Sequence, residues 1–148
     1  MNYFGALEAS LVKFCADLIE DNAWDTFKPF DYDTHATLNE FPTSDLLGIG
    51  ELSVTNNTET YDGTVTIAVC TMADDGYLEK LRTVIGQVFT ELKPGTHITC
   101  VDPITGVEIG KIIVQTGVTV LPVGTSRARP FQAIAFRFGS ALMDPQGD

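Results

Sequence analysis

The chain is poor in positive charge: nine Lys and Arg stand against 20 Asp and Glu, a formal net charge of −11 at pH 7. Such a molecule repels nucleic-acid phosphates and anionic lipid, which argues against a sequence-reading nucleic-acid binder. The same excess keeps a protein soluble, and for many chains that explanation suffices. Cysteine is also scarce. Cys15, Cys70 and Cys100 are widely spaced, form no C-x-x-C pair and have no neighbouring His, so neither a zinc site nor a disulfide framework is signalled. They read as small buried apolar residues, suited to a reducing interior such as cytoplasm. No apolar run approaches the roughly 18 residues of a membrane span, and the N-terminus lacks the basic and apolar regions of a signal peptide. The expectation is a soluble, unexported polypeptide with no membrane partner.

Signatures of chemistry are missing too. His35 falls in an irregular stretch and His97 in a strand pattern, more than sixty positions apart and without local partners, so a surface or hydrogen-bonded structural imidazole is the reading for each. Gly48-x-Gly50 precedes a strand rather than a helix, no G-x-x-x-x-G-K-[ST] occurs, and neither Gly5-Ala6-Leu7 nor Gly139-Ser140-Ala141 makes a nucleophile elbow. Asp31 and Asp33 flank Tyr32, and Asp74 adjoins Asp75. Calcium loops need more oxygen ligands in tighter array, so turn or cap duty is preferred for both pairs. The sequence thus assigns no catalytic, cofactor-binding or metal-binding residue.

What is present is periodicity. Val65, Ile67 and Val69 alternate with smaller or polar residues, and Leu78, Leu81, Ile85, Val88 and Leu92 then recur at helical spacing, so a strand over about 61–72 feeds a helix over about 76–92. Asp74 and Asp75 are placed to cap that helix. Phe4, Leu7, Leu11, Phe14, Cys15, Leu18 and Ile19 predict an earlier amphipathic helix ending near Asp21-Asn22. Between them, residues 23–44 carry Trp24, Phe27, Phe30, Tyr32 and Phe41 with Pro29 and Pro42 and no clear period. They read as a long irregular connection whose aromatics either pack on their own sheet or line an interface. Leu46–Thr55 reads as a strand with a bulge or close backbone approach at Gly48 and Gly50, paired in a hairpin with the strand that follows. Strands over 96–101 and 107–116 flank an Asp102-Pro103-Ile104-Thr105-Gly106 turn, 118–123 continues or bends at Gly117, and 131–139 is the last strand. Residues beyond Ser140 are expected to fray. The order predicts a single α+β domain over residues 1–148, a mostly antiparallel sheet with two helices packed on one face.

One charge feature has some specificity. Gly124-Thr125-Ser126-Arg127-Ala128-Arg129-Pro130 sets two arginines in a loop of an acidic chain. Arg127 and Arg129 either are solvated there or pair with carboxylates of a neighbouring copy, such as Glu59 and Asp62 or Asp74 and Asp75. These six are the candidate subunit-interface residues.

In element order and size, with the helix Phe4 to Ile19, the hairpin Leu46 to Met72, the helix Leu78 to Leu92 and the terminal strands through Phe138, the chain resembles the tail terminator (gpU-like) proteins of long-tailed bacteriophages. The first connection is longer than that family leads one to expect. The resemblance implies a structural, non-enzymatic virion protein without cofactor, assembled in the host cytoplasm. It implies a homohexameric ring on the head-proximal end of the tail tube that stops tube polymerisation and provides the head-tail joining surface. The partners it implies are the tail-tube protein and a head-tail connector or neck protein, with genomic DNA only in transit through the lumen. Alternatives are another neck or tail component, either a head-tail connector or a tail-tube subunit, and a small cellular binding or enzymatic α+β domain.

Overall fold

The first helix, α1 (Tyr3–Asp21), forms where the apolar period demands it, and its ends are chemically marked. Asn2 Oδ1 accepts the Gly5 N–H at 2.9 Å, satisfying one of the free donors of the first turn. At the other end Ala23 takes a positive φ of 53°, and Trp24 N–H reaches back to the Ile19 carbonyl at 3.0 Å, a left-handed stop that closes the last turn. The computed structural model describes residues 1–33, 42–126 and 129–143. Its strands are β1 (Phe27–Asp31), β2 (Asp45–Asn56), β3 (Tyr61–Cys70), β4 (His97–Val101), β5 (Glu108–Val114), β6 (Thr119–Val120), β7 (Gly124–Ser126) and β8 (Arg129–Leu142). The second helix, α2 (Tyr77–Glu91), lies between β3 and β4 in the chain.

The expected fold class is corrected: where a mostly antiparallel sheet with two helices on one face is expected, the eight strands form a mixed sheet curled into a half-barrel, in the order β1-β2-β3-β8-β5-β4, although every pairing except that of β1 with β2 is antiparallel. Mixing arises because β1 joins β2 in parallel, Phe27 opposite Asp45 through Asp31 opposite Ile49. The sequence reads as irregular there because β1 is only five residues long and contains Pro29, a residue tolerated on a sheet edge. Its approach depends on Gly48, where an added Cβ would collide with the Phe30 carbonyl. Curling has local causes in register shifts between Gly50 and Ser53 and between Cys100 and Val101, since a bulge bends its strand and increases its twist.

Strand β8 is the spine. One edge pairs with β3 from Phe131 to Ser140, and the other is served in turn by β7, β6 and β5. Pairing continues to Leu142, opposite Gly110, so the fraying expected from Ser140 does not begin there. Residues 144–148 lie outside the described ones.

The core is a single large cluster that takes Leu7, Leu11, Cys15 and Leu18 from α1 and Leu81, Val84, Ile85 and Val88 from α2. From the sheet it takes the alternating Val65, Ile67 and Val69 of β3 and Ile134, Phe136 and Phe138 of β8. Each fully buried Leu, such as Leu7 or Leu11, contributes roughly 2 kcal/mol. Helix α1 touches β1, β2 and β4, so it fills the gap between the two ends of the curled sheet. Ser10 fixes it there, its Oγ accepting the Val101 N–H at 3.0 Å. On the other side of β1 and β2, Phe30, Leu46 and Cys70 form a small second cluster covered by Tyr32 and Phe131.

Helix α2 is not capped as expected. Gly76 occupies its N-cap with φ of 80° and no side chain bonds the first turn. The Asp74 contribution is its main chain, whose carbonyl accepts the Tyr77 N–H at 3.3 Å.

Candidate functional site

The carboxylates singled out in the sequence act mainly on backbone. Asp33 Oδ1 and Oδ2 accept the N–H groups of Glu51 and Leu52 at 2.8 and 3.1 Å, which holds the β2 bulge where Glu51 takes a positive φ of 54°. Asp31 Oδ1 accepts the Asp33 N–H at 3.1 Å. Half-buried Glu8 faces both, and burial first, then the Asp31 and Asp33 charges, push its carboxyl above the ordinary range. Among the described residues no group of three or more His, Cys, Asp or Glu is arranged to hold a metal ion.

His35 and Phe41 lie outside the described residues. His97 is exposed on β4 and borders a groove of about 480 Å³ between that strand and α1, with Lys13, Asp17, Asp21 and Glu91 around it. Lys13 and Asp17 pair across one helical turn at 2.8 Å. Ser10, at the base of the groove, donates to Cys100 Sγ at 3.6 Å while accepting from Val101, a packing role at a buried contact. All three cysteines are free and buried. Burial pushes the Cys15 thiol up to about 12 and raises those of Cys70 and Cys100, so they stay protonated at neutral pH. The aromatics of the first connection pack on their own sheet: Phe27 and Phe30 are buried, and Phe30 meets Tyr32 edge-on at 4.8 Å.

The arginine pair divides. Arg127 lies outside the described residues. Arg129 is half-buried and donates Nη1 to the Pro42 carbonyl at 2.7 Å, Nη2 to the Ser44 carbonyl and Nε to the Thr71 carbonyl at 3.5 Å. Its guanidinium therefore ties residues 42–44 to the end of β3 within one chain. The acids proposed as its partners sit at opposite ends of the half-barrel. Glu59 lies in the β2–β3 turn and Asp62 just after it, where Asp62 Oδ2 accepts from Asn57 Nδ2. Asp74 and Asp75 are exposed before α2, Asp74 being 3.9 Å from Lys80.

Two features escaped the sequence. The first is Asp45, only 3% exposed. Its Oδ2 accepts from Thr26 Oγ1 at 2.7 Å and Lys80 Nζ at 2.9 Å, and its Oδ1 accepts the Met72 N–H at 2.9 Å. Burial acts to raise this carboxyl, but the Met72, Thr26 and Lys80 bonds outweigh it and hold the group below its usual range. A lone Asp at the start of a strand pattern gives no signal of this.

The second is where the exposed apolar side chains lie. The β4–β5 turn, the start of β5, the end of β8 and the start of α1 come together at one end of the half-barrel, as the Gly110–Leu142 pairing, the Met143-to-Ile109 hydrogen bond and the Tyr3–Tyr61 ring contact require. There Ile104 is 92% exposed and Met143 74%, with Phe4 and Val107 close to half. Asp102 builds the turn, its carboxylate accepting from Ile104 N–H and Thr105 Oγ1 at 3.0 Å each. The opposite end exposes Tyr77, Leu121 and Val123 more modestly.

No protein-family model and no curated protein matches the sequence. Among the solved structures that are similar, one matches at a TM-score of 0.45 and 14% identity, over 71% of this chain and 74% of that one, a likeness too low to bear on function. Among the described residues no helix is long and apolar enough to cross a membrane.

Proposed function

We propose that the chain is a structural, non-enzymatic phage virion protein: a tail terminator that associates as a homohexameric ring, caps the head-proximal end of the tail tube and presents the surface to which the neck joins the head. The observation that carries this reading is the placement of exposed apolar side chains at both ends of the half-barrel, Phe4, Ile104, Val107 and Met143 at one and Tyr77, Leu121 and Val123 at the other. Its flanks are guarded, β1 by Pro29 and β4 by α1 through Ser10, which discourages open-ended sheet growth. A body with two apolar ends suits stacking between two neighbours along one axis, and exposed patches of this kind mark contact surfaces. The acidic balance fits a ring through which DNA slides without its phosphates being held.

Native mass spectrometry and light scattering at several concentrations and salt levels test the ring, with six copies expected. Electron microscopy with tail tubes reconstituted from a purified phage tail-tube protein tests the role, with added density at one end of each tube expected. Bare tube ends under all conditions, or turnover of a small compound, overturn the proposal. A tube subunit would instead extend into long tubes.

A further inference from the structure

From the Ile104 end of the half-barrel we infer a docking face for a different protein, whose surface carries an apolar patch bordered by Lys and Arg. Under the terminator reading, on which this rests, that protein is the last ring of the tail tube. Three observations lead there. First, the apolar exposure is concentrated: Ile104 at 92% and Met143 at 74% exceed every large apolar side chain at the other end, where Val123 is highest at 49%. The end with more apolar surface left to bury suits the contact that must persist. Second, the patch is edged by carboxylates. Glu59, Asp62 and Glu108 are exposed and Asp102 half-exposed at this end, while Lys111 there is already paired with Glu108 at 2.6 Å. Third, that border argues against a second copy in the same place: two such faces would set acids against acids, which is unfavourable, and a chain with nine Lys and Arg against 20 Asp and Glu has little cationic surface to offer from any other face. A cationic border on the partner meets the acids while its apolar centre receives Ile104.

The turn that presents Ile104 is rigid enough to act as an anchor. Asp102 accepts from Ile104 N–H and Thr105 Oγ1, and Gly106 N–H donates to the Asp102 carbonyl at 2.7 Å. Little order remains to be imposed when the side chain is buried, and preorganisation of this kind favours affinity.

The test is decoration of tube ends by the full chain, scored by electron microscopy, with hydrogen exchange on the wild-type protein as an independent readout. The paired change Ile104→Glu and Val107→Glu is expected to lower the fraction of capped tubes at least tenfold, and Glu59→Lys with Asp62→Lys to lower it several-fold and flatten its salt dependence. Thr83→Glu, on the exposed side of α2, should leave capping unchanged. In the wild type, tube binding should protect amides 102–108. Capping that survives Ile104→Glu with Val107→Glu, or protection confined to the Tyr77 and Val123 end, overturns this inference and leaves the terminator reading standing. Absence of capping by the wild type removes both. Loss of oligomers, rather than of capping, in the Ile104→Glu variant assigns the face to a second copy and overturns it as well.

Discussion

Both ends of the half-barrel expose apolar side chains, but they differ in degree and in how charged groups are used. At the end where β2 begins and β3 finishes, charged side chains are drawn inward: Asp45 is buried against Thr26, Lys80 and the Met72 amide, and Arg129 grips the carbonyls of Pro42, Ser44 and Thr71. At the other end the turns are short and self-contained, and apolar side chains point outward, Ile104 above all. The first arrangement fastens chain segments far apart in sequence. The second leaves its largest apolar side chains in solvent, Ile104 at 92% and Met143 at 74% exposed. The comparison separates residues kept for the fold from residues available for contact, a distinction that residue type does not make.

Mutations can break this contrast, and the largest effect is expected at Asp45. Asp45→Ala leaves the Met72 N–H and the Thr26 hydroxyl without their acceptor and breaks the bond to the partly exposed Lys80 ammonium, a loss of about 3 kcal/mol; urea denaturation should show a lowered midpoint with an unchanged slope. Arg129→Ala comes next at about 2 kcal/mol, since hydrogen bonds from charged groups are worth about 1.5–3 kcal/mol, and Arg129→Lys should recover little because a point charge cannot span the same carbonyls. Both substitutions should leave the oligomer mass of the residual folded protein unchanged. An unaltered midpoint for Asp45→Ala would refute the account of that end.

The same end predicts a pH window. Asp45 is held below the ordinary carboxylate range, so its contribution is present above about pH 4 and is lost as pH falls through its folded value. Lys80 is raised, first by its hydrogen bond to Asp45, so its contribution is present below about pH 10.4 and is lost as pH rises through its folded value. Asp45→Asn should therefore flatten the acid limb of the stability curve. Glu8 has the opposite sign. Its raised carboxyl favours the fold most when protonated, so it opposes folding at pH 7, and Glu8→Gln should stabilise by ~0.5 kcal/mol, an amount typical of partly exposed charges. The smallest effect on stability belongs to Ile104→Ser, within about 0.5 kcal/mol as for other exposed sites, in contrast to the large effect on docking expected of the same residue under our inference.

How much of this the sequence discloses follows from which signals are local. The stripe Leu7, Leu11, Cys15, Leu18 and the alternation Val65, Ile67, Val69 are repeated patterns, and the structure buries those residues in one core. Phe4 belongs to the same helical stripe yet is 47% exposed, because it lies past the end of the sheet on which the stripe packs; period alone does not say where the surface stops. Strand β1 was hidden because its five residues include Pro29 and its pairing depends on Gly48, a partner about twenty positions away. The function of Asp45 was hidden for a similar reason, since Thr26, Met72 and Lys80 reach it from three separate segments. Arg127 and Arg129 looked equivalent in sequence, and only the approach of residues 42–44 gives Arg129 its intramolecular duty.

The position of β8 has a consequence for biosynthesis. The strand that occupies the middle of the sheet is the last of the described elements to leave the ribosome, and until it arrives β3 lacks one neighbour while β5, β6 and β7 have nowhere to align. A nascent polypeptide ending near residue 126 holds both helices and the β2–β3 hairpin but cannot close its core. Productive folding therefore waits until β8 has been made, and protection of that waiting chain by a holding factor should govern its yield.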